Sequence, residues 1–330
     1  MDWATSRRRV LAGLSASAAG LIGGTHGFAQ EAPPESTTIR LGKIPGVCIA
    51  PQYVAEELLR GEGFTNVQYV ELSVNVYAGF TAGTIDISMA FIAPYIIQLD
   101  AGLPLVLLGG VHAGCFELFG TERIKAVRDL KGKTVAVPEP GSAHHVFVAA
   151  MASHVGIDPK RDINFVIQSP AESMRSLAEG KIDAMMGFPP DPQELREKKI
   201  GKVIVNSGLD RPWSQYFCCI VAAHQEFVQK HPAATKRALR AILKATHFCA
   251  VEPERAARLV ADKGYRYDYS LQTMKEIAYA RWRDYDAEDT IRFYALRLHE
   301  AGIIKSAPNK IIAQGTDWRF LNELKRELKG

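Results

Sequence analysis

The sequence predicts an α/β protein with two similar lobes, each a mainly parallel sheet flanked by helices, and a C-terminal helical segment that packs on the first lobe. Three observations predict this class. Short β-prone runs alternate with helical patterns, which favours parallel sheets covered by helices. The whole pattern recurs after about 96 residues. Beyond about residue 224, only helical patterns remain.

Composition excludes several other classes. The 330 residues are 47% hydrophobic and 23% charged, which is ordinary for a globular chain and excludes collagen, coiled coil and bulk disorder. The chain has 40 basic and 36 acidic side chains, a balance too even for the electrostatic footprint of a nucleic-acid-binding protein. No run of eighteen apolar residues follows the N-terminus, so we expect no integral membrane domain.

The first 29 residues resemble an export signal. Three arginines at 7–9 precede a weakly apolar stretch, and the Gly-Phe-Ala at 27–29 places small residues at both cleavage-site positions of a cut after Ala29. The paired arginines resemble a twin-arginine (Tat) signal, and Sec export is the alternative. We therefore expect a periplasmic protein whose residues 30–37 form a linker.

Each unit of the repeat has the pattern β-loop-α-β-α-β. The β-prone runs lie at 39–42, 67–72 and 83–91 in the first unit and at 135–138, 163–168 and 180–188 in the second. Asp86 and Asp183 occupy the same place in a Gly-x-Ile-Asp motif, where we predict a structural role. We assign residues 38–128 to lobe 1 and 129–222 to lobe 2, and we expect 223–330 to return to lobe 1.

The strand ends indicate where a ligand binds. In open α/β sheets the ligand lies outside the carboxyl ends of the strands. If both lobes face one gap, loops 43–51, 90–95, 138–144 and 187–192 line a single cleft. The start of the helix after Pro140 is part of this cleft, and its free N–H groups attract an anion or a polar oxygen. Plain helix capping by Ser142 is the alternative.

We expect these loops to supply the ligand contacts. The predicted contact residues are Gly46, Val47, Gln52, Phe91, Cys115, Phe116, Gly141, Ser142, Ala143, His144, Phe188, Asp191 and Trp213. This set is rich in rings and poor in fixed cations, which suits a small, partly apolar molecule.

The sequence offers no persuasive catalytic or metal motif. The Gly-x-Ser-x-Gly, His-Glu-x-x-His and phosphate-loop motifs are absent, so we expect no enzyme activity and no cofactor. An enzyme on the same fold and a ligand-sensing module remain alternatives. The five cysteines are Cys48, Cys115, Cys218, Cys219 and Cys249. They form no Cys-x-x-Cys pair, so we predict buried apolar thiols, at least one of them free, and no metal site.

Over about residues 38–328 the chain resembles exported solute-binding proteins of ABC transporters, in the nitrate, sulfonate, taurine and thiamine-pyrimidine family. The segments that carry the resemblance are 50–57 (APQYVAEE), 82–87 (AGTIDI), 129–138 (DLKGKTVAVP), 178–184 (AEGKIDA) and 320–324 (FLNEL). The resemblance implies a periplasmic-binding-protein-like fold of type II. It also implies a monomer that delivers its ligand to a permease and an ATPase in the inner membrane.

The implied ligand is a sulfonate-like anion or a heteroaromatic, pyrimidine-type compound. In relatives the helix start that matches Gly141, Ser142 and Ala143 often holds an anionic group. Here Glu139 brings a negative charge close to that helix start, which argues against a simple nitrate or sulfonate ligand.

Overall fold

The structure is a computed structural model that describes residues 31–72 and 76–328. Everything below concerns the compact unit that begins at Pro33. The export signal predicted at 1–29 lies outside the described residues. In the described part of the chain, no helix is long and apolar enough to cross a membrane.

The described residues contain ten strands. They are β1 (Thr38–Lys43), β2 (Asn66–Glu71), β3 (Ile87–Phe91), β4 (Leu105–Ala113), β5 (Glu117–Gly120), β6 (Lys133–Val137), β7 (Ile163–Ile167), β8 (Ala184–Gly187), β9 (Lys202–Asn206) and β10 (Phe217–His224). Strands β3, β4 and β8 are buried along their whole length, as expected for strands covered by helices on both faces.

The helices of the lobes are α1 (Ala50–Val54), α2 (Glu56–Gly61), α3 (Tyr77–Thr81), α4 (Ile92–Asp100), α5 (Ala143–His154), α6 (Pro159–Asp162), α7 (Pro170–Ala178) and α8 (Asp191–Glu197). Those of the C-terminal segment are α9 (Gln225–Lys230), α10 (Pro232–Val251), α11 (Pro253–Ala261), α12 (Tyr267–Glu276), α13 (Ala287–Glu300), α14 (Pro308–Gly315) and α15 (Arg319–Glu327).

The strands form two five-stranded sheets of matching order. The first is β2-β1-β3-β10-β4 and the second is β7-β6-β8-β5-β9. Strand β10 is antiparallel to both neighbours, as is β5 in the second sheet, while the other strands of each sheet run the same way. The predicted pair of mainly parallel sheets is therefore confirmed, and so is the repeat, because β1, β2 and β3 begin 95, 97 and 97 positions before β6, β7 and β8.

The chain passes between the sheets at 114–116 and again at 207–216. These crossings differ from the boundaries predicted at residues 128 and 222. The reason is that β5 and β10 lie outside the repeated β-α-β pattern, and each inserts into the sheet that the chain has just entered. Residues 117–128 therefore belong to the second lobe, and β10 belongs to the first.

The C-terminal segment packs mainly on the first lobe, as predicted. Helix α10 covers α1 and α2, and α15 packs against β4. A buried ion pair between Arg240 and Glu62, with Nη1 and Oε2 2.7 Å apart, joins α10 to the end of α2. The segment also reaches the second lobe, because α13 contacts α5 and α12 contacts α8.

The repeated aspartates have the structural role that the sequence predicts. An Asp86 oxygen accepts the backbone N–H of Arg40 at 2.8 Å, and an Asp183 oxygen accepts that of Thr134 at 3.0 Å. Each carboxylate therefore ties the third strand of its lobe to the first. Each is also paired with an arginine, Arg40 for Asp86 and Arg123 for Asp183.

Candidate functional site

A pocket lies between the two sheets, where the strand-end loops of both lobes meet. The space between its lining atoms is about 540 Å³ with open solvent included, but only about 30 Å³ of it can hold the centre of a water-sized molecule. The lining residues are Ile44, Gly46, Cys48, Ile49, Val76, Tyr77, Ala90, Phe91, Pro94, Phe116, Ala143, Phe188 and Cys219. All four predicted cleft loops contribute. Of the predicted contact residues, the structure brings together Gly46, Phe91, Phe116, Ala143 and Phe188.

The two lobes touch directly at the mouth of this pocket. The backbone N–H of Val47 donates to the carbonyl of Pro189 at 2.8 Å. The Tyr77 hydroxyl donates to the carbonyl of Gly141 at 3.2 Å. At Gly46 a Cβ atom would lie 2.9 Å from the Phe188 ring, which explains why glycine is needed at this approach. The two lobes are therefore in direct contact beside the pocket.

Aromatic rings from both lobes form the pocket wall. The Phe116 ring lies between the lobes, with its centroid 5.0 Å from that of Phe91 and 5.4 Å from that of Phe188. Phe91 is buried in lobe 1, whereas Phe188 is only partly buried at the end of β8. The contacts are tilted or edge-on, as aromatic pairs prefer. Phe188 is thus the ring of this set with the most surface left for another molecule.

His144 brings an unsatisfied polar group to this wall. Its ring lies against Phe188, with centroids 4.8 Å apart, and only 2% of the residue is exposed. Neither ring nitrogen has a hydrogen-bond partner among the described residues. Burial lowers the pKa of His144 to about 4, so the imidazole is neutral at pH 7. A neutral imidazole offers one N–H donor and one acceptor.

Two backbone N–H groups at the start of α5 donate to side chains of the same segment. The Ser142 hydroxyl accepts the N–H of His145 at 3.3 Å, so Ser142 caps the helix. The N–H of Gly141 donates to Nδ1 of His145 at 3.0 Å. Ser142 therefore has the capping role, and neither Gly141 nor Ser142 is part of the pocket lining.

The charges around the pocket are not those of an anion site. Among the described residues, no Asp, Glu, Lys or Arg lines it. Lys43, the main cation of the predicted loops, pairs with Glu71 at 2.6 Å instead. Burial and then the charge of Glu139 raise the pKa of Tyr77. Asp191 lies outside the lining, and burial followed by the charge of Glu194 raises its pKa to about 7.

Three other predicted contacts do not reach the pocket. The side chain of Gln52 is buried within lobe 1, where its amide donates to the carbonyl of Gly42 at 2.7 Å and accepts from Met89 at 2.9 Å. Val47 is buried beside the lobe contact. Trp213 packs edge-on against Phe147 at 5.2 Å and lines a separate cavity.

A cluster of thiols adjoins the lobe 1 side of the pocket, and sequence reasoning missed it. The Sγ atoms of Cys48, Cys115 and Cys219 all lie within 4.8 Å of one another. The Sγ atom of Cys218 is 3.2 Å from that of Cys115 and 4.0 Å from that of Cys219. All five cysteines are free, and Cys249 lies apart in α10. The cluster draws on three distant segments, so no local spacing signals it.

The thiols of this cluster differ electrostatically. Burial raises the pKa of Cys115. Burial has the same effect on Cys219, yet hydrogen bonds from the thiols of Cys115, Cys218 and Cys48 and the electrostatic effect of the neighbouring His112 hold its pKa well below the usual value. The sulfur of Cys219 therefore carries more thiolate character than its neighbours.

Two sheets joined by two crossings, with a pocket between their strand-end loops, define the periplasmic-binding-protein fold, as the resemblance implies. The particular group follows from the sequence profile of the NMT1-like family, which matches residues 32–262. The chain belongs to the NMT1-like family.

Curated relatives are distant. The chain is 27% identical over 112 residues to the bicarbonate-binding protein CmpA of Synechococcus elongatus, a match that covers 33% of this chain and 24% of CmpA. It is 25% identical over 181 residues to a putative binding protein of Brucella abortus, which covers 54% of this chain and 56% of that protein. The chain thus spans only about a quarter of CmpA and about half of the Brucella protein.

Solved structures agree over far more of the chain. The periplasmic nitrate-binding protein NrtA of Synechocystis PCC 6803 superposes with a TM-score of 0.75 at 16% identity, covering 90% of both chains. A sulfonate-binding SsuA protein of Methylobacillus flagellatus gives 0.68 at 21%, covering 88% of this chain and 94% of that one. The desulfurization enzyme DszB gives 0.59 at 15%, covering 88% and 99%. At these identities the likeness shows the fold alone.

Proposed function

We propose that the protein is the exported solute-binding component of an ABC importer. It captures a small organic molecule between its lobes in the periplasm and delivers it, as a monomer, to a permease and its ATPase in the inner membrane. The family, the fold and the twin-arginine-like N-terminus support this proposal. The relatives whose names give a ligand bind bicarbonate, nitrate or sulfonates.

The lining of the interlobe pocket carries the proposal for the ligand class. It consists of aliphatic and aromatic groups and two thiols, with no charged side chain from the described residues. An anion buried there without a cation pays a desolvation cost of several kcal/mol. The ligand is therefore an uncharged heteroaromatic compound of the pyrimidine type rather than a sulfonate-like anion.

Lobe 2 supplies the groups that recognise such a ring. Phe188 offers its partly exposed face for stacking, and His144 offers a neutral donor and acceptor beside it. Tyr77 adds a hydroxyl from lobe 1. Because hydrogen bonds are stronger in a water-excluded site, lobe closure makes these few polar groups sufficient for orientation.

The test is a binding titration of the mature protein, by calorimetry, against uncharged pyrimidines and against nitrate, bicarbonate and alkanesulfonates. We expect binding by a pyrimidine-type ring compound. Phe188→Ala should weaken it about 10-fold through lost ring contact. The matched control is Phe293→Ala, a partly buried ring that stacks on Tyr216 at 3.9 Å, away from the pocket; it should bind as the parent does.

Two results contradict the proposal at different levels. Binding of anions alone, unchanged by Phe188→Ala, rejects the ligand class but keeps the importer. A folded protein that binds nothing in a broad panel, and whose gene lies apart from transporter genes, rejects the solute-binding role itself.

A second candidate function, an enzyme on the same fold, is favoured by one observation. Cys219 lines the pocket, and its low pKa beside His112 is a feature of nucleophilic cysteines. Turnover of a bound ligand that Cys219→Ser abolishes, with binding intact, is the result that favours the enzyme over the binding protein.

A further inference from the structure

We propose that Cys48, Cys115 and Cys219 form a binding site for a thiophilic d¹⁰ metal cation, Zn(II) or Cu(I), at the junction of the two lobes. Their Sγ atoms lie within 4.8 Å of one another, and all three come from different segments of the chain. Thiolate is the ligand that such soft ions select. The site adjoins the pocket proposed for the organic ligand, because Cys48 and Cys219 line both, but it takes a different ligand.

The spacing of the three sulfurs suits one ion. A metal–sulfur bond of about 2.3 Å sets the sulfurs of one ion about 4 Å apart in trigonal or tetrahedral geometry. The observed limit of 4.8 Å requires only a small inward shift of these side chains. Cys48 and Cys219 also line the interlobe pocket, which gives an ion a route to the cluster when the lobes part.

His112 becomes a fourth ligand only if its ring moves toward the sulfurs, because its nitrogens are not among the ligand atoms that lie within 4.8 Å of one another. It is the register partner of Cys219 on the neighbouring strand, so the two side chains project from the same face of the sheet. Its Nδ1 lies 3.3 and 3.2 Å from the carbonyl oxygens of Ala113 and Gly114. Because a carbonyl only accepts, Nδ1 carries the proton and the lone pair is on Nε2.

The second ring nitrogen of His112, Nε2, makes no hydrogen bond to the described residues. His112 itself is fully buried. An imidazole that ligates a metal commonly donates its second N–H to a backbone carbonyl, which is the arrangement seen here. Three thiolates and one imidazole form a tetrahedral Zn(II) set, whereas three thiolates alone suit Cu(I).

The three cysteines lie in or beside the segments through which the two lobes are connected or in contact. Cys115 lies in the first crossing at 114–116, and Cys219 follows the second crossing at 207–216. Cys48 is next to Val47, which bonds to lobe 2 through Pro189. An ion held by all three cysteines therefore ties together both crossings and the loop that meets the other lobe.

The experiment uses the reduced, metal-free mature chain, titrated with Zn(II) or Cu(I) against a chromophoric competitor. We expect one equivalent to bind, with a sulfur-to-metal charge-transfer band for Cu(I) and for Co(II) used as a probe. Loss of an outer-shell partner alone costs 10–100-fold in affinity, so Cys48→Ser or Cys219→Ser should lower it at least about 100-fold. Cys249→Ser, a buried free thiol outside the cluster, is the matched control and should change nothing.

A His112 variant distinguishes Zn(II) from Cu(I), and X-ray absorption keeps the test decisive if the cysteine variants misfold. His112→Gln should weaken Zn(II) more than Cu(I), and equal loss for both ions removes His112 from the proposed set. If the cysteine variants fail to fold, X-ray absorption of the metal-loaded parent decides, with three sulfur neighbours expected.

Three results overturn the proposal. They are coordination by oxygen and nitrogen only, binding that survives both cysteine changes, and a reduced protein that binds neither ion. A protein that is isolated with a Cys115–Cys218 disulfide and binds neither ion after reduction also gives the third of these results. The metal titration and the organic-ligand titration are read separately, so either proposal can fail without the other.

Discussion

Phe91 in lobe 1 and Phe188 in lobe 2 stand at the same point of the repeat, one at the end of β3 and the other just after β8, yet their surroundings differ. Phe91 is 4% exposed and packs against Phe147 at 4.9 Å and Tyr294 at 5.5 Å. Phe188 is only partly buried and faces Gly46 across the lobe contact. The same position of the repeat thus lines the pocket in both lobes, but only Phe91 is also buried in a cluster of core rings.

The contrast extends to the chemistry of each lobe. Lobe 1 brings the thiols of Cys48 and Cys219 to the pocket, whereas lobe 2 brings the ring of Phe188, with the neutral imidazole of His144 packed against that ring. The repeated aspartates, in contrast, keep one function in both lobes. Each sheet uses the same carboxylate tie between its strands, whereas the residues at the gap differ because each lobe supplies a different part of one pocket.

The largest expected effect separates the two phenylalanines. Phe91→Ala should lower the free energy of unfolding by about 3–5 kcal/mol, because it leaves a cavity among buried rings. Phe188→Ala should cost only about 1 kcal/mol, since part of its ring already meets solvent. Urea unfolding of both variants measures the difference, and equal losses would remove the contrast between core and pocket.

The second effect compares the two aspartates. Asp86→Ala should cost about 2–4 kcal/mol, because the Asp86 side chain is 8% exposed and its loss leaves the Arg40 amide unpaired. Asp183→Ala should cost about 1–2 kcal/mol, since the side chains of Asp183 and Arg123 are 15% and 66% exposed. Thermal unfolding tests the order; a larger loss at Asp183 contradicts it.

The third effect concerns pH and has no counterpart in lobe 1. The pKa of Asp191 is about 7 in the folded protein against an ordinary 3.8, so the folded state binds this proton more tightly. Stability should therefore fall as pH rises from about 4 to about 7. Asp191→Asn removes this loss and should be more stable than the parent by up to about 4 kcal/mol at pH 8, with little gain at pH 4.

Urea midpoints of the parent and Asp191→Asn at both pH values provide the measurement. Glu194→Gln is the matched control, because it removes only the neighbouring charge that contributes to the shift. It should recover a smaller part of the gain. The same gain for Asp191→Asn at pH 4 and pH 8 would show that Asp191 does not titrate in this range.

Much of the fold was readable from local patterns. The repeat, the strand alternation and the Gly-x-Ile-Asp echoes predicted two mainly parallel sheets and the structural role of Asp86 and Asp183. The lobe boundaries were not readable, because β5 and β10 pair with strands far away in sequence, and a short apolar strand looks the same in either sheet.

The candidate site, like the fold, was predicted only in part from the sequence. By itself the sequence determined which loops meet at the gap and that rings such as Phe116 and Phe188 lie there, since the carboxyl ends of parallel strands share one edge. Only the tertiary structure decided that Gln52 and Trp213 face elsewhere, that Ser142 caps a helix, and that Cys48, Cys115 and Cys219 converge. Which distant segments meet depends on where the two crossings place the chain in space. The spacing of residues within one segment carries no information about that.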